Sequence, residues 1–205
     1  MNIKFYSDTI CGWCFIGHSR LKKAISSFSK INFNIEHVPF QLNPDMPLQG
    51  IDRRDYLNLK FGGPENAQPM YDHMTSQAQT ENLNFNLNLI KKTPNTIKSH
   101  ILIKFSEKFD LQEQIKEQIF TAYFIKGKDI GDQNILLEIA KSLNLNIDHL
   151  SEEFSKKENF EKINSYIPIY QSKGIHGVPY FEINDKAISG AQSTENIIKV
   201  IQSIV

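Results

Sequence analysis

The chain has 205 residues, enough for one large domain or two small ones and for a core that needs no disulfide staples. Lys plus Arg and Asp plus Glu both number 23, so the net charge is zero, which argues against a general nucleic-acid or anionic-membrane binder. There are only two cysteines, so a framework of structural disulfides is excluded and the thiols form a local pair.

No apolar run approaches the ~18 residues that span a bilayer. Met1 leads straight into Asn2-Ile3-Lys4-Phe5-Tyr6, with no basic start and no apolar leader. The expected setting is a reducing cytoplasm, without nucleic-acid or membrane partners. Monomer and homodimer are both open.

Ile3 and Phe5 alternate with polar residues as in a short strand, and Ser7-Asp8-Thr9 supplies capping chemistry. A helix is expected from about Cys11 to Phe28, with Leu21, Ala24, Ile25 and Phe28 on one face. Ile31, Phe33, Ile35 and His37 alternate again, and Pro39 ends that strand. The first forty or so residues therefore spell a parallel βαβ unit. From about Arg53 to Lys173 the signals are helical. Thr93 before Pro94 has the form of a helix start, and Asp110 with Glu113 and Ser155 with Glu158 have capping-box spacing. Gly62-Gly63-Pro64 breaks this block near its beginning, and Asn84 to Ile90 alternates like a short strand. At the end, Pro179–Ile183 and Lys186–Ser189 form a hairpin across Asn184-Asp185, and Ser193 caps a last amphipathic helix. The expected fold is α/β: βαβ, a helical insertion, then ββα. The division is 1–62 plus 165–205 for the α/β domain and 63–164 for the inserted helices.

Cys11-Gly12-Trp13-Cys14 lies where the first strand hands over to the first helix. Thiols at i and i+3 share a helix face and can close a small disulfide ring. Cys11 falls at the helix N-terminus, where free amides and the helix dipole favour an anion, which makes it the attacking thiolate. Cys14, a turn further in, is the resolving thiol. Two inert cysteines and half of a zinc site are the alternatives. His18 extends the motif to C-x2-C-x3-H and His176 could add a fourth ligand, but there is no second C-x-x-C. The expectation is that no metal is held. Trp13, the only tryptophan, is expected beside the reactive thiol as a flat surface for substrate.

With Gly177-Val178-Pro179 before the third strand, the chain resembles the thioredoxin-like superfamily. Specifically it resembles the DsbA-like branch with helices inserted into the thioredoxin fold, and within it the FrnE-like dithiol oxidoreductases. The residues carrying the resemblance begin with Cys11-Gly12-Trp13-Cys14-Phe15-Ile16-Gly17 and Arg20-Leu21. Pro39-Phe40-Gln41-Leu42-Asn43-Pro44, Tyr56-Leu57, Lys60-Phe61-Gly62, Asn95-Thr96 with His100, and Ala122-Tyr123-Phe124 with Gly127-Lys128-Asp129-Ile130 continue it. Gly174 to Pro179 and Ser189-Gly190-Ala191-Gln192 complete it.

The resemblance implies that Pro179 is cis and packs against the active-site pair, leaving the Val178 main chain to pair with an extended substrate. It also implies a helical cap over the thiols and a groove between cap and sheet, with Phe40, Phe61, Met70, Tyr71 and Met74 as candidate lining. His176 is a candidate donor of charge or a proton to Cys11, with a solvated loop histidine as the other reading. His18 and His100 read as structural. One departure stands out: Gly12 occupies the position where this branch is expected to have proline.

These readings make the protein a thiol–disulfide oxidoreductase or isomerase acting on protein or small-molecule disulfides. It would need no cofactor, with glutathione as a candidate recycling co-substrate. A glutathione-dependent isomerase or transferase of the kappa or hydroxychromene-carboxylate type is a second reading, although a serine is expected there in place of Cys11. A non-catalytic holdase or metal-binding module is a third.

Overall fold

A computed structural model describes all of residues 1–205. The alternation at the N-terminus forms β1 (Asn2–Ser7), which runs into helix α1 (Gly12–Ser26) and returns as β2 (Asn34–Pro39). β1 and β2 pair in parallel, with Phe5 opposite His37. At the far end of the chain β5 (Tyr180–Ile183) and β6 (Lys186–Ser189) form the hairpin, turning at Asn184 in the left-handed region (φ 50°). β5 joins antiparallel to β1, so the sheet order is β2-β1-β5-β6 and chain ends distant in sequence meet in its centre. Helix α10 (Thr194–Gln202) follows, its Ser193 side chain accepting the Asn196 amide as an N-cap should.

The intervening chain is helical apart from a two-residue ladder of β3 (Ile51–Asp52) with β4 (Lys92–Thr93). Its helices are α2 (Arg53–Phe61), α3 (Pro64–Thr80), α4 (Ile97–Ser106), α5 (Gln112–Phe120), α6 (Gln133–Ser142), α7 (Ile147–Glu153), α8 (Lys157–Asn164) and α9 (Tyr166–Ser172). Gly62 ends α2 in the left-handed conformation (φ 75°) and Pro64 opens α3, so the break lies at the Gly-Gly-Pro run.

β1 shows why its residue pattern matters. Ile3 and Phe5 point into the main core, where Phe5 stacks on its cross-strand partner Phe181 at 4.6 Å between ring centres. Tyr6 points the other way, into a small cluster with Val38, Phe40, Tyr170 and Ile175. The main core is continuous from the sheet through α1 and α10 into α4, α5 and α6, with Phe15, Ile101, Ile119 and Leu136 among its members. Burying a side chain of this size contributes about 1.5–3 kcal/mol.

Several local expectations differ from the structure. Thr93 lies in β4, and α4 begins later, with the Asn95 side chain accepting the Ile97 amide. Asp110 takes a left-handed conformation (φ 56°) and caps nothing, and neither α5 nor α8 has a side-chain N-cap. Asn84–Ile90 holds a single 3-10 turn at Leu87–Leu89 instead of a strand. Ser7-Asp8-Thr9 does not cap α1; its N-cap position is Cys11, and the Asp8 carboxylate accepts the Leu42 amide at 2.7 Å. In each of the capping cases the side-chain type suits a cap, but the N-cap position falls one to three residues later.

Candidate active site

The turn after β1 sets the position of the thiols. The Cys11 amide donates to the Asp8 carbonyl at 3.1 Å, and the Cys11 carbonyl accepts the Cys14 amide at 2.9 Å, the first bond of the helix. Both thiols are free and lie one turn apart. Cys11 keeps 7% exposure while Cys14 has none. The Cys11 thiol points at the Val178 carbonyl, 3.6 Å away. The Val178–Pro179 peptide bond is cis, and Pro179 is buried against α1. Gly17 permits that approach, because a Cβ there would lie 3.0 Å from the proline ring. Cys11, Cys14, Val178 and Pro179 are thus brought together from opposite ends of the chain.

The mouth of the site is a groove of about 280 Å³ with mostly apolar walls. Trp13 of α1 and Val178 line it together with Phe61 of α2 and Met70, Tyr71 and Met74 of α3. Trp13 is half-buried, its ring 5.5 Å from that of His73. Two cations, Arg53 and Lys60, also line the groove. Arg53 is held in place by the Tyr71 hydroxyl (2.8 Å) and the Thr93 hydroxyl (3.1 Å), and it lies 5.4 Å from the centre of the Tyr56 ring. The space beside Gly12 is occupied by Met74: a Cβ on residue 12 would lie 2.5 Å from the Met74 sulfur. The departure from proline at this position therefore goes with a wall of α3 that closes over it.

Phe40 is not part of the groove. It is buried against Tyr170, ring centres 4.2 Å apart, and its carbonyl accepts from His100 Nε2 at 3.0 Å. β2 ends at Pro39, and the next side chain falls on the sheet face covered by α9. His176 is exposed two residues before Val178 and makes no hydrogen bond or ion pair. The metal alternative built on Cys11, Cys14, His18 and His176 does not assemble, because His18 is buried flat against Phe5, 5.9 Å between ring centres, and points toward Glu113.

Beneath the pair lies a polar layer that sequence reasoning missed. Lys116 of α5 is 1% exposed, with its amine 2.5 Å from the Ser7 hydroxyl, 2.9 Å from His37 Nδ1 and 3.9 Å above the centre of the Phe5 ring. His37 Nε2 is 3.0 Å from Glu113 Oε2. Burial pulls the Lys116 ammonium down to about 7, against the opposing pull of Cys14 and Glu113. Burial, and then the charge of Lys116, bring His37 down to about 3. Burial would raise the Glu113 carboxyl, but the adjacent His18 and His37 rings hold it far below the usual carboxylate range. Burial and the neighbouring Cys11 thiol push the Cys14 thiol well up, while the Asp8 backbone and the Lys116 charge act in the opposite sense. Lys116 sits between Ile115 and Ile119 in a stripe that reads as core, and only the presence of a charge within that stripe could have flagged it.

Other resembling segments have structural work. Arg20 ties three elements: its guanidinium donates to Glu81 (2.7 Å), to Gln77 (2.8 Å) and to the Ala191 carbonyl (2.7 Å). Asn95 donates to the Met46 carbonyl at 2.6 Å and Gln41 to Asn164 at 3.0 Å, each joining the helical block to the sheet side.

Comparison with known proteins agrees with this architecture. Protein YwbO of Bacillus subtilis is 24% identical over 202 residues, covering 98% of this chain and 96% of that protein. A probable DsbA oxidoreductase from Streptomyces coelicolor superposes with a TM-score of 0.88 at 22% identity, over 99% of this chain and 89% of that one. The cytosolic disulfide reductase DsbM from Pseudomonas aeruginosa, solved with GSH, gives 0.72 at 14% identity, over 100% and 98% of the two chains. The model of the DSBA-like thioredoxin domain matches residues 2–202, and the chain belongs to that family.

Proposed function

We propose that the protein is a thiol–disulfide oxidoreductase of the FrnE-like branch, working through Cys11 and Cys14 in a reducing compartment. The observation that carries this reading is the free Cys11 thiol at the start of α1, facing the Val178 carbonyl at the mouth of an apolar groove. The Cys11 thiolate attacks one sulfur of a substrate disulfide and releases the other as a thiolate, which takes up a proton. Cys14 then loses its proton and attacks the Cys11 sulfur. The Cys11–Cys14 disulfide forms, the second substrate thiol leaves, and the substrate has gained two electrons. Two equivalents of an external thiol restore the dithiol, and the same steps run in reverse would oxidise a substrate.

The Val178 main chain and Trp13 would hold an extended segment or a small disulfide. Residues 63–164 would act as the cap, with Met70, Tyr71 and Met74 as its contribution to the groove. Glutathione suits the recycling role, since Arg53 and Lys60 offer cations to its carboxylates and DsbM was solved with GSH.

The test is a Cys14→Ser trap in cell extract. Mixed disulfides with protein or small-molecule partners should accumulate on Cys11 and disappear on reduction. Recovery of a glutathione adduct alone would favour a glutathione-dependent transferase or isomerase. A Cys11→Ser protein that reduces a model disulfide as fast as the unaltered protein would overturn the redox reading. Substrate binding that survives that change without turnover would point to a holdase.

A further inference from the structure

We propose that the groove above Cys11 takes small disulfides that carry a carboxylate, and that Arg53 is the residue that selects them. The inference rests on the redox reading above and narrows its substrate to one charge class.

Arg53, Tyr56 and Lys60 stand at i, i+3 and i+7 of α2 and so share one face. All three line the groove together with Cys11. Two cations on a helix face are ordinarily a solvated surface. Here the wall that holds them contains no aspartate or glutamate. The polar partners of both cations are neutral. Arg53 donates to the Tyr71 hydroxyl at 2.8 Å and the Thr93 hydroxyl at 3.1 Å, and Lys60 donates to Asn43 Oδ1 at 3.3 Å. The neighbouring Asp52 carboxylate is spent on the Arg54 and Asp55 amides as the cap of α2. Asp72, which lines a second cleft with Arg53, accepts from Gln68.

Arg20 supplies the contrast, since there the protein itself provides a carboxylate, Glu81, at 2.7 Å. Arg53 is half-buried beside apolar walls, where a charge without a counter-ion is costly, and its anion is left to come from outside. The two hydroxyls occupy only part of the guanidinium's donors, so others remain for a carboxylate. The group is also preset. Thr93 is fully buried, and the Tyr56 and Tyr71 rings lie 5.4 and 5.3 Å from the guanidinium carbon. Lys60 is exposed on the last turn of α2 and can swing toward a second carboxylate.

The groove volume of about 280 Å³ suits a small molecule. A carboxylate held at Arg53 would keep one sulfur of such a disulfide in place for the Cys11 thiolate. The Cys11–sulfur bond forms as the substrate S–S bond breaks, and the other sulfur leaves as a thiolate that takes up a proton.

The experiment uses the full chain carrying Cys14→Ser, which stops at the mixed disulfide. Its rate of formation is followed by mass spectrometry with 3,3′-dithiodipropionate, bis(2-hydroxyethyl) disulfide and cystamine, which are anionic, neutral and cationic. Each rate is divided by that of 2-mercaptoethanol with the same disulfide. The corrected rates should fall in that order. Arg53→Gln should lower the anionic-to-neutral ratio about tenfold, and Arg53→Lys should restore part of it. Lys60→Gln, at an exposed position that should not disturb folding, should lower the ratio about threefold. Far-ultraviolet circular dichroism checks each variant. Equal corrected rates for the three disulfides would overturn the proposal. So would slowing in Arg53→Gln that leaves the ratio as it was. Mixed disulfides with none of the three would instead overturn the redox reading, and this proposal with it.

Discussion

The groove above Cys11 and the layer beneath Cys14 are only a helical turn apart, yet they are built from opposite materials. The groove is walled mostly by apolar side chains such as Trp13, Met70, Met74 and Phe61, with Arg53 and Lys60 also lining it. The layer is a chain of charged and polar groups, from Ser7 through Lys116 and His37 to Glu113. On the proposed function the difference follows from the separate tasks of the two thiols. Cys11 would meet the substrate, and a soft apolar surface accepts many shapes without fixing one. Cys14 would lose a proton where water does not reach; burial opposes this, and the charged form of Lys116 favours it. On that reading selection by shape is loose on one side of the pair, while electrostatics is tightly arranged on the other.

The largest expected effect separates the two regions outright. Cys11→Ser should reduce turnover of a model disulfide to the background rate, while far-ultraviolet circular dichroism stays as it was. Lys116→Met tests the layer. A change of one pKa unit at Cys14 corresponds to about 1.4 kcal/mol, so release of a preformed mixed disulfide on Cys11 should slow about tenfold. Its pH profile should also move to higher pH. An unchanged profile would mean that the layer is structural only. Replacing a buried amine by an apolar chain of similar length need not cost stability.

Gly12→Ala tests the groove. The new Cβ must displace the Met74 thioether, and overpacking of this kind costs about 1–3 kcal/mol. KM for a bulky disulfide should rise more than kcat falls. Much of the loss should return in Gly12→Ala with Met74→Ala, and a double-mutant cycle without coupling would refute the contact.

The smallest effect concerns the clamp that holds α3, and with it Met74, on α1. Burial would raise the Glu81 carboxyl, but Arg20 and Lys23 hold it below its ordinary value of 4.5. A depressed carboxyl contributes stability that is present above the unfolded pKa and lost as pH falls through the folded one. Urea midpoints should therefore decline below about pH 4.5 more steeply in the unaltered protein than in Glu81→Gln. The difference at neutral pH should be on the order of 1 kcal/mol.

The two regions also differ in how far they could be read from residues alone. The period-2 runs at Ile3–Phe5 and Phe181–Ile183 and the Asn184 turn mark the sheet, because alternation is a local signal. The thiol pair is visible for the same reason. Pro179 and the lining residues Phe61, Met70, Tyr71 and Met74 came through family resemblance, which carries long-range information that no spacing contains. Phe40 was misassigned because a residue one step beyond a strand end has no fixed face. The polar layer escaped because its members come from α1, β1, β2 and α5. Glu113 taken singly does not differ from a surface charge on an amphipathic helix, and Lys116 carries only the weak signal of a charge set beside Ile115 and Ile119.

The continuity of the main core has a consequence for cooperativity. Phe5 and Phe181 of the sheet share one apolar cluster with Ile101, Ile119 and Leu136 of the helical segment. Neither part has a complete apolar interior without the other. Heat or denaturant should therefore remove both in a single transition, with sheet and helix signals lost together. Nicking the chain between α3 and β4 should yield fragments that stay associated or unfold jointly, and not a free-standing thioredoxin half.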